Sequence, residues 1–160
     1  MASTAVREGS LGSLQVSDAL AKQPGKGMGF YNVKQIVRRD LCVLSCAVAL
    51  RRRCRKVQGV PFRALDAFAS SGVQGLRLAS ECPVLVRDAN SLNGSCGTSV
   101  PELAVVLNDE DANACALCAA NALTKQEESG REEWTASISI KNRRSREKRE
   151  HQPNCRSTRD

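Results

Sequence analysis

An α/β fold with parallel strands is predicted, on three observations. Residues 62–77 pass from a short apolar run through small residues into helical spacing. Residues 103–107, Leu-Ala-Val-Val-Leu, form a continuous apolar run, which suits a strand buried on both faces of a parallel sheet. Residues 29–57 place Val33, Ile36, Val37, Leu41, Leu44 and Val48 at helical intervals, a spacing that predicts one apolar face turned toward a core.

The first of these stretches organises the rest. Ala64 and Leu65 end the apolar run, and Asp66 stands where it stops. Ala67, Ala69, Ser70, Ser71 and Gly72 follow, and Val73, Leu76 and Leu78 resume a helical period. In open α/β sheets a ligand binds at the carboxyl ends of the strands, where such a turn lies. Gly72 lets backbone approach a ligand, and the next helix offers free N–H groups. The dinucleotide fingerprint G-x-G-x-x-G is incomplete, with Ser70 in the first glycine place and Gly72 and Gly75 in the others. A plain strand–loop–helix connection is the competing reading.

Length and composition bound the answer. The 160 residues suggest one domain. Aromatic residues make up 3% of the chain, so a core has to come from Leu, Val and Ala. The net charge is +7, but residues 141–160 hold eight Lys/Arg against three Asp/Glu, so the basic balance belongs mostly to the tail. No run of 18 apolar residues predicts a membrane span. An apolar secretory segment is missing from the N-terminus, and residues 1–21 carry one Arg and two acids, unlike a mitochondrial presequence. Eight cysteines without a secretory signal point to free thiols in a reducing compartment.

Taken in order, residues 1–27 read as mostly loop, disordered at the start, with an edge strand at Glu8-Gly9 as the alternative. Within the helix of residues 29–57, Arg38, Arg39 and Asp40 read as solvated. The functional alternative has Arg39 reaching the loop at Asp66–Gly72 to meet a carboxylate there. Arg51, Arg52, Arg53, Arg55 and Lys56 close that helix; they complement its dipole or, by their density, meet RNA phosphates. Residues 83–87 suggest a short strand, residues 88–101 an inserted loop, and residues 112–123 a helix. From residue 124 onward the charged composition predicts disorder. Residues 141–149 match a nuclear-localisation patch, which places the protein in the nucleus, with the mitochondrion as second choice.

Cys115-Ala-Leu-Cys118 has no second pair at zinc-finger spacing, and His151 is the single histidine, so neither a zinc site nor a catalytic histidine is expected. Cys42 and Cys46 are expected to pack as small apolar residues. What survives is a pair of acids, Asp66 and Asp109, each at the end of a predicted strand. An acid after the second strand of a Rossmann-like unit accepts hydrogen bonds from ribose hydroxyls. A nucleoside-containing cofactor fits, and S-adenosyl-L-methionine fits better than a dinucleotide because the glycine set is incomplete.

The blocks FYNVKQIVRRDL (30–41), ALDAFASSGVQGLR (64–77) and VVLNDEDANACALCAAN (105–121) resemble the tRNA (guanine-26-N2)-dimethyltransferase family. The resemblance covers about residues 29–123, in the family's order. It implies a partial Rossmann-like S-adenosylmethionine-dependent methyltransferase domain over residues 28–124, between a loop at 1–27 and a disordered basic tail at 125–160. Arg39 and Asp109 match positions that contact the methyl donor, and Asp66 and Gly72 belong to the glycine loop. Gln74 stands where the family has an Arg, and Arg38 where it has an Asn. The family's Asp-Pro motif is missing: none of Pro24, Pro61, Pro83, Pro101 and Pro153 follows Asp or Asn. The implied function is tRNA guanine N2-dimethylation, with this chain expected to be an N-terminal part that is inactive alone. The alternatives are a non-catalytic cofactor- or RNA-binding fragment and a generic nucleotide-binding unit.

Overall fold

The computed structural model describes residues 3–17, 31–54, 56, 60–92, 100, 102–133 and 136–142. Within them the chain is a mixed α/β fold with a three-stranded parallel sheet and three long helices.

The N-terminal loop expectation is corrected over residues 3–17. Strands β1 (Ser3–Arg7) and β2 (Ser13–Ser17) pair antiparallel around a 3₁₀ turn at Gly9–Leu11. Gly9 and Gly12 take φ of 56° and 66°, which glycine tolerates at little cost. The hairpin is fixed by what it buries: Leu11 and Leu14 pack against Val73, Leu76 and Ala122.

A 3₁₀ turn at Val33–Gln35, capped by the Asn32 side chain accepting from the Lys34 N–H, leads into α1 (Ile36–Cys54). Here the predicted orientation is reversed. Val43, Ala47 and Leu50 enter the core, whereas Val37, Leu41, Leu44 and Val48 are 51–68% exposed. The helix has apolar residues on two sides, and spacing alone does not choose between them.

Strand β3 (Phe62–Asp66) pairs in parallel with β4 (Leu103–Asp109), and β4 with β5 (Ala136–Asn142), in the order β3-β4-β5. Helix α2 (Val73–Leu92) links β3 to β4, and α3 (Ala112–Glu133) links β4 to β5. The strand expected at 83–87 lies inside α2. Pro83 is accommodated there, and Leu78, Cys82 and Val86 recur every four residues as one buried stripe. The first residues of the expected loop, 88–92, complete that helix, and residues 93–99 lie outside the described residues. Disorder from residue 125 is likewise corrected as far as residue 142. Ile138 and Ile140 alternate with exposed Ser137 and Ser139, and pack on the core that Leu103, Val105 and Leu107 share with α2. The rest of the nuclear-localisation patch, from residue 143, lies outside the described residues.

Candidate functional site

The site begins at the carboxyl end of β3. Asp66 ends the strand and its Oδ2 accepts the Gly75 N–H of α2 at 3.1 Å. The chain then turns on itself: the Gly72 N–H reaches the Ala69 carbonyl at 2.7 Å, and the Leu76 N–H returns to the Gly72 carbonyl. Ser70 and Gly72 both have positive φ, 50° and 80°. Ser70 therefore holds a backbone conformation that glycine takes more readily. Gly75 serves close packing. A Cβ there would lie 2.0 Å from Leu107 Cδ2, so α2 sits against β4 only because that side chain is missing.

The end of β4 ties this turn down. The Ser70 N–H donates to Asp109 Oδ2 at 2.9 Å, and the Asp111 N–H to Asp109 Oδ1 at 3.0 Å. Asn108 supplies its carbonyl to the Ala69 N–H and its amide to the Ala67 carbonyl. Burial pushes the Asp66 carboxyl above the ordinary range and the charge of Asp109 adds to that, against the pull of the Gly75 and Phe68 N–H groups. Cys118, packed under Gly72, donates to the Ser70 carbonyl at 3.2 Å, and burial followed by nearby negative charge pushes its thiol up to about 12. It is a structural thiol rather than a nucleophile.

A cavity of about 440 Å³ opens over this turn. Asn32, Gln35, Arg38, Arg39 and Cys42 form its α1 side, and Asp66, Phe68, Ser70 and Gln74 its loop side. Gln74 Nε2 is buried without a hydrogen-bond partner among the described residues. Phe68 is 89% exposed at the lip.

The structure thus brings Arg39, Asp66 and Gln74 to one cavity. Gly72 belongs to the turn itself and Asp109 holds that turn from behind, and neither lines the cavity. The expected partner of Arg39 is corrected. Its Nε and Nη2 each donate to the Glu8 carboxylate at 2.6 Å, in a bidentate pair that comes from the hairpin rather than the loop. Arg77 also reaches Glu8, at 3.1 Å, and pairs with Asp40 and Glu81. Arg39 further donates to the Asn32 carbonyl and stacks 5.0 Å from the Tyr31 ring centroid. This network fixes the α1 wall of the cavity. Arg38 and Arg39 were also expected to be solvated; Arg38 is, and Arg39 is buried.

At the other end of α1, Arg51 is half-buried and donates to the Ala89 carbonyl, whereas Arg52, Arg53 and Lys56 are exposed; Arg55 lies outside the described residues. Cys42 is exposed, against expectation, and Cys46 is half-buried on the core. Among the described residues no His/Cys/Asp/Glu group could hold a metal ion, and no helix is long and apolar enough to cross a membrane.

Glu8 and Phe68 are the site residues that motif reading misses. Glu8 had one signal: an acid before Gly9, next to the alternating Leu14 and Val16. Phe68 had none, because an aromatic within a run of small residues reads as core.

No protein-family model matches the chain, and no curated protein matches it.

Proposed function

We propose that this chain carries the methyl-donor side of an S-adenosylmethionine-dependent tRNA guanine N2-methyltransferase, one that forms dimethylguanosine. The observation that carries the reading is the strained turn between β3 and α2. Ser70 and Gly72 take positive φ and Gly75 has no room for a Cβ, so the incomplete fingerprint falls on a tight turn at the carboxyl end of a parallel strand, which supports a nucleoside-bearing ligand there. Three features of the cavity fit the cofactor. Its volume is within the range of small-molecule sites. The orphaned Gln74 amide calls for an acceptor on the ligand. Asp66 offers a carboxylate to a hydroxyl or amine.

When bound, the cofactor supplies an electrophilic methyl group on a sulfonium. The chain's own residues bind and orient it: Glu8 holds Arg39 and the α1 wall, and Asp109 and Asn108 hold the turn in shape. Arg52, Arg53 and Lys56 are the exposed cations available to tRNA phosphates, with Arg51 and Arg55 as expected neighbours. A second reading is a non-catalytic cofactor- or RNA-binding fragment: Arg39 and Asp109, both expected at the methyl donor, are engaged by Glu8 and by the turn instead.

Calorimetry of the 160-residue chain with S-adenosylmethionine and S-adenosylhomocysteine tests the donor site. Saturable binding is expected, and Asp66→Ala should weaken it about tenfold or more, the loss of a hydrogen bond to a charged group being worth roughly 1.5–3 kcal/mol. Radiolabelled methyl transfer to bulk tRNA then separates the readings: binding without transfer favours the fragment. No binding of either ligand sinks the first reading and the cofactor-binding form of the second.

A further inference from the structure

Two unsatisfied surfaces meet along one groove. The first is the outer face of α1, where Leu41 is 59% exposed and lines the groove. The second is the backbone edge of β3, the outermost strand of the parallel sheet. The Phe62 N–H donates to the Glu102 carbonyl on the β4 side at 2.8 Å. By strand alternation Ala64 and Asp66 also aim their backbone groups at β4, and Arg63 and Leu65 aim theirs at the open edge. The side chain of Leu65 is itself 65% exposed. Between α1 and β3 runs a groove of about 580 Å³, lined by Leu41, Cys46, Phe62 and Leu65 among others. Its cations are Arg38 and Arg63, and neither is in an ion pair among the described residues.

We propose that this groove receives an extended apolar segment of another polypeptide, which pairs with β3 as an added strand and carries carboxylates toward Arg38 and Arg63. A strand satisfies the outward N–H and C=O of Arg63 and Leu65, which a docked helix cannot do. Its inward side chains meet that face of α1, so one element covers both surfaces. Acidic flanks follow from the two free guanidiniums. A second copy of this chain would instead bring its own Arg63 against them. Residues 143–160 hold seven Lys/Arg against three acids and no alternating apolar run, so they do not fit either.

The probe is a short labelled peptide of alternating valine and threonine with an aspartate at each end, titrated with the 160-residue chain by fluorescence anisotropy. Saturable binding that weakens with salt is expected, and lysine ends should weaken it about fivefold or more. Leu65→Pro removes one outward N–H and leaves the bonds to β4 in place, as proline is tolerated on an edge strand. It should lower affinity about tenfold or more. Leu41→Gln changes an exposed position that lines the groove, keeps the helical circular dichroism, and should lower affinity as well. No saturable binding, or binding indifferent to both variants, overturns the proposal. So does a dimer in sedimentation equilibrium that Leu65→Pro abolishes, which would assign the edge to a second copy.

Discussion

Glu8 shows how one side chain commits two others. It is 4% exposed, and a carboxylate that buried is tolerated only when paired and hydrogen-bonded. Burial pushes its carboxyl up, but the hydrogen bonds and charge of Arg39, with Tyr31 and Arg77, outweigh this and hold it below the ordinary 4.5. Tyr31 is raised in turn, by burial and then by Glu8. Because the folded carboxyl is more acidic than the unfolded one, its contribution is complete above pH 4.5 and is lost as pH falls through the lower folded value. Glu8→Gln leaves two buried guanidiniums short of a counter-charge and should cost about 3–5 kcal/mol at neutral pH. Denaturant titrations should show the gap between wild type and variant narrowing as pH falls below 4.5. A gap of the same size at both ends would mean that the pair contributes shape and no charge.

At the scale of the element, the turn from β3 to α2 was legible where chemistry needs a particular backbone. Asp66 at a strand end and glycines at 72 and 75 announce it, and Ser70 gives way without changing its shape. The two glycine-like positions should respond in opposite directions. Ser70→Gly removes the cost of a positive φ and should stabilise by about 1 kcal/mol, as long as the backbone bonds to Asp109 and Cys118 persist. Gly75→Ala drives a methyl group into the fully buried Leu107 and should destabilise by about 1–3 kcal/mol. Urea midpoints for the two variants settle it, and a neutral Gly75→Ala would show that α2 can lift from β4. Helix α1 was legible as a helix but not in its facing. Val37, Leu41, Leu44 and Val48 make the longer apolar stripe, yet Val43, Ala47, Leu50 and a buried Arg39 turn inward. That choice is made by Glu8 and by α2, both far away in sequence. Helix α2 was misread at 83–87 because proline next to branched residues mimics a strand start, whereas the stripe Leu78, Cys82, Val86 needs the whole helix in view.

At the scale of the molecule, the strands β3 and β4 and the first turns of their crossover helix were legible, from apolar runs and from the helical spacing that resumes at Val73. The hairpin and β5 were not, because each is short, polar on one side, and ordered only by what it covers. The hairpin has the larger consequence. It lays Leu11 and Leu14 on Val73, Leu76 and Ala122, and so bridges the starts of α2 and the middle of α3. Gln15 exchanges two backbone hydrogen bonds with the buried Asn121 side chain, whose amide also holds the Ser71 carbonyl of the site's turn. Glu8 adds the ionic tie to α1 and α2. A chain beginning at residue 18 loses all three at once: it uncovers an apolar patch, takes the two Gln15 hydrogen bonds from Asn121, and removes the counter-charge of Arg39 and one of the three carboxylates around Arg77. The cost should exceed that of Glu8→Gln, because cover and hydrogen bonds go with the charge. The turn should loosen as well, since Ser71 is held through Asn121. Urea unfolding followed by circular dichroism should show a lower midpoint or no cooperative transition, with hydrogen exchange faster at Ser70 to Gly75 than in the full chain. A truncated chain that unfolds at the same midpoint, with the same protection across that turn, would show that the parallel sheet and its helices hold the site unaided.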